Sequence, residues 1–169
     1  SGRAANRDPP PRGARPAADR AAFLASRGLD PARPVLAVLP GSRRQEVAHN
    51  LPPIAAALVL LRERRPELQL ALAMAPSLDP GLFDGPLAGL PVTCVSAATH
   101  ELLSPSAAGI VASGTATVEA ALMDLPMVVV YRLSPLTYAL GRPFVRVPHY
   151  AMANLIAGRK VVTELIQGD

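Results

Sequence analysis

The chain has one cysteine, no tryptophan, and only three tyrosines and three phenylalanines among its 169 residues. A lone Cys94 excludes an internal disulfide and a multi-cysteine metal site. The shortage of rings leaves little material for stacking on the bases of single-stranded nucleic acid. The longest apolar run, "IAAALVLL" at 54–61, is far short of the roughly 20 residues that a bilayer-spanning helix needs. No Walker-type "GxxxxGK[ST]" is present, the first glycine turn lacks "GxGxxG" spacing, and no Asp-x-Asp pair occurs. His49, His100 and His149 lie in distant segments without ligand spacing, so no metal site is expected.

The formal charge of +4 belongs to one end of the chain. Residues 1–33 hold seven Arg against three Asp, and the remainder balances ten basic against ten acidic residues. The basic leader is diluted by Asp and by Pro9, Pro10, Pro11 and Pro16, which disfavours nucleic-acid binding through it. Residues 1–18 are read as a flexible Pro/Arg-rich linker, too poor in apolar side chains to offset the entropy of ordering. The leader has no apolar segment of the secretory type, which points to a cytoplasmic protein. A first residue other than Met, and an end at Asp169 where a helical pattern has just begun, point to a piece of a longer polypeptide.

What is present is an alternation of two patterns over residues 19–169, a length suited to one domain with a sizeable core. "AADRAAFLASRGL" reads as a short amphipathic helix stopped by Gly28. Nearly continuous apolar runs at 35–39, 68–74, 91–95, 108–112 and 127–131 predict strands covered on both faces. Helical patterns fill 45–65, about 99–106 and 115–124, the first expected to bend or break at Pro52 and Pro53. Strands alternating with helices predict a Rossmann-like, doubly wound parallel sheet, with ligands beyond the carboxyl ends of its strands. Beyond Tyr131 no clear strand periodicity remains.

Two strand-to-helix corners stand out, "VLAVLPGSRRQEV" at 35–47 and "AGIVASGTATVEAAL" at 108–122. Such corners leave unpaired N–H groups and the positive end of a helix dipole beside open space, which suits phosphate. In the first, Gly41 allows close backbone approach, Ser42 can cap the helix and Arg43 can fork onto two phosphate oxygens. In the second, Ser113, Gly114 and Thr115 offer hydroxyls and N–H groups, and Glu119 lies one turn beyond Thr115, placed to accept ribose hydroxyls. Each corner alone is equally an ordinary turn; two in one α/β unit point to a diphosphate-bearing donor.

"LPGSRRQEV", "ASGTATVEAALMDLPMVVVYRLSPLTYALGRPFV" and "NLIAGRKVVTELIQ", in this order and spacing, resemble the carboxyl-terminal half of the lipid-A-disaccharide synthase family, over about residues 35–169. The resemblance implies one of the two Rossmann-like domains of an inverting GT-B glycosyltransferase. Family members join UDP-2,3-diacylglucosamine to 2,3-diacylglucosamine 1-phosphate, releasing UDP, at the cytoplasmic face of the inner membrane. It implies Gly41, Ser42 and Arg43 toward the donor diphosphate, with Arg43 stabilising the leaving group, and Ser113, Gly114, Thr115 and Thr117 in a second phosphate-facing loop. Glu119 then takes the ribose, the backbone from Val95 to Leu103 the uracil, and Asn154, Glu164 and Gln167 line the cleft. No cofactor or metal is implied, since helix dipoles and Arg replace a divalent ion.

The sequence also departs from the family pattern. The amino-terminal domain that brings the acceptor site and the general base is absent, so this chain alone is expected to be inactive. "DPPPRGARP" stands where a Gly-His-Pro segment is usual, and Met152 and Ala153 replace Leu-Pro before Asn154. Arg132, Tyr138, Arg142, Phe144, Arg146 and Tyr150 interleave around Leu136 and Leu140. That segment reads equally as an interface with an anionic bilayer and as a packed helix with Arg at its margins. Two alternatives stay open: another GT-B UDP-sugar enzyme, such as the peptidoglycan N-acetylglucosaminyl transferase or a UDP-N-acetylglucosamine 2-epimerase, or a non-catalytic nucleotide-sugar binding module. The hydrophobic and basic run "VVVYRLSPLTYAL" argues for the lipid-linked choice.

Overall fold

A computed structural model describes residues 17–131 and 163–166. Six strands, β1 (Val35–Leu39), β2 (Gln69–Met74), β3 (Val92–Ser96), β4 (Ala108–Ala112), β5 (Met127–Tyr131) and β6 (Thr163–Ile166), form one sheet in the order β3-β2-β1-β4-β5-β6. Every pairing is parallel. Among the described residues five helices accompany them: α1 (Ala17–Ser26), α2 (Arg44–Arg64), α3 (Gly81–Asp84), α4 (Thr99–Leu103) and α5 (Thr115–Leu122).

All five residues of β1 are buried because both faces of the sheet are covered. Val35, Ala37 and Leu39 face a core that includes Leu24, Leu102, Val111 and Ala120, from the side of α1, α4 and α5. Leu36 and Val38 face the opposite core, built with Val47, Leu51, Ile54 and Leu58 of α2 and Phe83 of α3. This explains the unbroken apolar runs: alternate residues serve different cores, so neither position tolerates a polar side chain. Helix α1 ends as the sequence predicts, with Leu29 N–H donating to the Leu24 carbonyl and Gly28 N–H to that of Ala25, the paired bonds of a Schellman stop.

The strand order reverses direction between β1 and β4. Leu39 pairs with Val111, so the two strands end side by side and their following loops emerge together. That reversal is where an open α/β sheet leaves a crevice at its carboxyl edge.

Three expectations change. Helix α2 runs unbroken from Arg44 to Arg64 with Pro52 and Pro53 inside it. Both prolines are exposed, so the Ala48 and His49 carbonyls that lose a donor lie toward the solvent side. Meanwhile Val47, Leu51, Ile54, Ala55 and Leu58 keep one buried stripe through the prolines, and that stripe holds the helix continuous through its weak point. The short α3 was not foreseen, its four residues being too few for any periodicity. Residues 163–166, in the stretch beyond Tyr131 where no clear strand periodicity is read, form β6 and pair with β5 from Val128↔Thr163 to Tyr131↔Ile166. Tertiary pairing against a ready sheet edge overrides local propensity there.

Candidate functional site

The loop from Pro40 to Arg43 joins β1 to α2, and Ser113 and Gly114 join β4 to α5. Both loops line one cleft of about 740 Å³ at the carboxyl edge of the sheet, together with Glu46, Glu119, Ala97 from the β3–α4 connection, and Thr99, His100 and Glu101 from the start of α4. Residues 41–43, 113–115 and 119, singled out in the sequence, thus line one space, and Ala97, Thr99, His100 and Glu101 of the segment assigned to the base line it too. His100, inside the segment assigned to the base, reaches this cleft. Ala97 holds the wall in shape with φ +55, a left-handed conformation unusual for a residue with a Cβ.

The two corners differ in detail. At the first, Gly41 has φ +128, and a Cβ there would stand 2.8 Å from the Glu46 Cβ and 2.9 Å from its Oε2. Only glycine fits, because the Glu46 carboxylate folds back over the loop. Its Oε2 accepts from the Ser42 N–H at 3.1 Å and the Arg43 N–H at 3.3 Å, and its Oε1 lies 3.7 Å from Arg43 Nη1. Ser42, expected to cap α2, sits one residue too early: Arg43 is the N-cap, and no side-chain cap bond is made by it. Glu46 is the residue that sequence reasoning missed. Its signal was an acid three places after the N-cap, the second half of a capping box.

At the second corner, Gly114 takes φ +154 and ψ −164, a region reserved for glycine, yet a Cβ there would meet nothing within 4 Å. No side chain caps α5. Ser113 N–H donates to the Val130 carbonyl, anchoring the loop to β5. Thr117 does not line the cleft: it is fully buried, and its hydroxyl donates to the Gly114 carbonyl at 2.7 Å, bracing the turn from beneath. Buried Asn50 does the same for the first corner, its Nδ2 donating to the Pro40 carbonyl at 3.0 Å.

Among the described residues the cleft lining carries one guanidinium, Arg43, against the carboxylates of Glu46, Glu101 and Glu119. The positive potential for an anion therefore rests on Arg43 and on the amino-terminal ends of α2 and α5. No three of His, Cys, Asp and Glu gather as a metal site among the described residues, and no helix there is long and apolar enough to cross a membrane. Glu164 is described only as backbone, paired with Val129 in β6. Asn154 and Gln167, residues 1–16, His149 and the Arg-aromatic segment from Arg132 to Tyr150 lie outside the described residues.

Away from the cleft, Cys94 on the outer strand β3 is exposed by area but borders a groove lined by Phe83, Leu87 and Val92. Desolvation there, with a smaller contribution from the Asp84 charge, pushes its thiol pKa up. On the surface, the hydrogen bond from Arg65 holds the Glu67 carboxyl below its ordinary value.

The family model described as lipid-A-disaccharide synthetase matches residues 14–169. The lipid-A-disaccharide synthase of Geobacter sulfurreducens is 45% identical over 157 residues, spanning 92% of this chain and 41% of that protein. The protein of the same name from Acidobacterium capsulatum is 48% identical, spanning 91% and 42%. The one from Syntrophotalea carbinolica is 42% identical, spanning 89% and 39%. The chain therefore spans about two fifths of the length of these relatives. Among solved structures, the glycosyl transferase family 9 protein from Veillonella parvula superposes with a TM-score of 0.56 at 14% identity, over 90% of this chain and 41% of that one, a likeness of fold. With a family match over nearly its whole length and relatives at 42–48% identity, the chain belongs to the lipid-A-disaccharide synthetase family.

Proposed function

We propose that this chain is the donor-binding half of a glycosyltransferase of lipid A biosynthesis, which transfers 2,3-diacylglucosamine from its UDP donor to 2,3-diacylglucosamine 1-phosphate. The observation that carries the reading is the shared cleft: two glycine corners and the β3–α4 wall around one space at the sheet reversal. The diphosphate lies between the corners, Glu119 accepts the ribose hydroxyls, and the wall around Thr99 and His100 takes the uracil. Asn154, Glu164 and Gln167 complete the sugar side.

In the reaction the bond between the sugar carbon and the β-phosphate oxygen breaks as the acceptor hydroxyl attacks from the opposite face. Negative charge grows on the departing UDP. Arg43 and the N–H groups at Gly114 and Thr115 meet that charge as it forms, so they stabilise the transition state more than the ground state, while the Ser113 N–H stays committed to the Val130 carbonyl. The acceptor site and the general base belong to the remaining length of the relatives, which gives this chain alone a binding role. Because both sugars carry acyl chains, the complete enzyme works at the inner-membrane surface on its cytoplasmic side, with Arg132, Tyr138, Arg142, Phe144, Arg146 and Tyr150 as the contact. Sedimentation with anionic liposomes tests this, and no binding at low salt removes the membrane claim.

Calorimetry tests the donor site. UDP binds the chain, Arg43→Ala and Glu119→Ala both weaken it, and UMP keeps the Glu119 dependence while losing most of the Arg43 dependence. Equal UDP affinity in all three proteins contradicts the proposal.

A further inference from the structure

The carboxylate of Glu46 lies where an anion bound at the first corner would lie. It accepts from the N–H groups of Ser42 and Arg43, stands beside the Arg43 guanidinium, and fills the space above Gly41 that the missing Cβ leaves open. The same carboxylate lines the cleft shared with the second corner. We propose that Glu46 is a resident anion of the first corner, which a diphosphate displaces on binding, so that the charge at position 46 sets the affinity of the site for diphosphates. The inference rests on the donor-site reading above and deepens it.

The physical argument is one of competition. Two backbone donors are already satisfied by a carboxylate that also stands 3.7 Å from the Arg43 guanidinium, so an incoming phosphate must either turn that side chain out or share the donors with a like charge. Glu101 and Glu119 line the same space, so a third carboxylate held in place would leave the cleft more negative than positive. Displacement is cheap in geometry, because the Glu46 side chain is 40% exposed and that of Arg43 is 84% exposed. Once released, Arg43 is free to follow the phosphate. The arrangement has a consequence for selectivity: an unoccupied corner stays ordered and rejects weaker monoanions, which do not repay the lost bonds.

Glu46→Gln separates charge from shape. Glutamine keeps the capping-box acceptor for the Ser42 and Arg43 N–H groups, so the loop is retained while the charge goes. Calorimetric titration of the 169-residue chain with inorganic pyrophosphate, UDP and uridine should show pyrophosphate and UDP binding roughly tenfold tighter to Glu46→Gln, the difference expected when a charged competitor for hydrogen-bond donors becomes neutral. Uridine affinity should not change. Pyrophosphate and UDP affinities equal to or below those of the unaltered chain overturn the proposal while leaving the donor site intact, provided UDP binds both. UDP and pyrophosphate binding to neither protein overturns the donor-site reading and this one with it. In the unaltered chain, the ¹³C resonance of the Glu46 carboxyl should shift along the same isotherm as the Ser42 and Arg43 amides during the pyrophosphate titration. A stationary Glu46 carboxyl under saturating pyrophosphate also overturns the proposal, independently of any variant.

Discussion

The corner after β1 and the corner after β4 have the same outline and opposite states. Each places a glycine two residues past its strand and opens into a helix, and the two strands are neighbours ending in register. The first is closed by its own carboxylate, Glu46, and Gly41 is required there because a Cβ would collide with that side chain. The second has no side-chain cap, and Gly114 is required by backbone conformation alone. The difference teaches that a glycine-bearing strand-to-helix corner can be built in two ways, without a side-chain cap or held in shape by a carboxylate of the helix that follows.

The comparison can be broken at several points. The largest effect belongs to Arg43→Ala in the complete enzyme, where turnover should fall on the order of a hundredfold or more, as when one preorganised donor to a developing anion is removed. A loss confined to KM would show Arg43 to bind donor and transition state alike. Next comes Gly41→Ala, which adds overlap with Glu46 to backbone strain and should cost about 3 kcal/mol in urea unfolding. Gly114→Ala carries strain without overlap and should cost about 2 kcal/mol or less. If Gly114→Ala proves the more damaging, the contrast between the corners is wrong. Pairing Gly41→Ala with Glu46→Ala sharpens the contrast, because the overlap disappears and part of the loss should return.

Smaller effects follow. Thr117→Val removes the hydroxyl that donates to the Gly114 carbonyl and should cost roughly 1 kcal/mol, with a matching loosening of the second corner and none of the first. At Cys94 the raised thiol pKa means that the folded chain holds its proton more tightly than the unfolded chain. The stability this contributes is present below the ordinary thiol pKa and is lost as pH rises through the raised value. At mildly alkaline pH, alkylation of Cys94 should be slower in the folded chain than in the unfolded one, and Asp84→Asn should speed it modestly.

Much of the fold was legible because the sheet is buried on both faces. The runs at 35–39, 108–112 and 127–131 coincide with β1, β4 and β5, the run at 68–74 starts one residue before β2, and the run at 91–95 is shifted by one residue from β3. The corners were legible as strand-to-helix turns because glycine and hydroxyl residues follow an apolar run directly and a helical pattern follows them. What escaped was set by partners distant in the chain or by competing local rules. The continuity of α2 depends on a buried stripe that outweighs two prolines, and β6 depends on the exposed edge of β5. Glu46 looked like an ordinary first-turn acid. The hydrogen bonds from the Ser42 and Arg43 N–H groups show that its carboxylate turns back over the loop.

The central claim is that both corners close on a single ligand, and amide chemical shifts during a UDP titration of the ¹⁵N-labelled chain test it most directly. The account predicts that Ser42 and Arg43 move together with Gly114 and Thr115 along one isotherm, with one dissociation constant. Movement at one corner while the other stays still at saturation would contradict it.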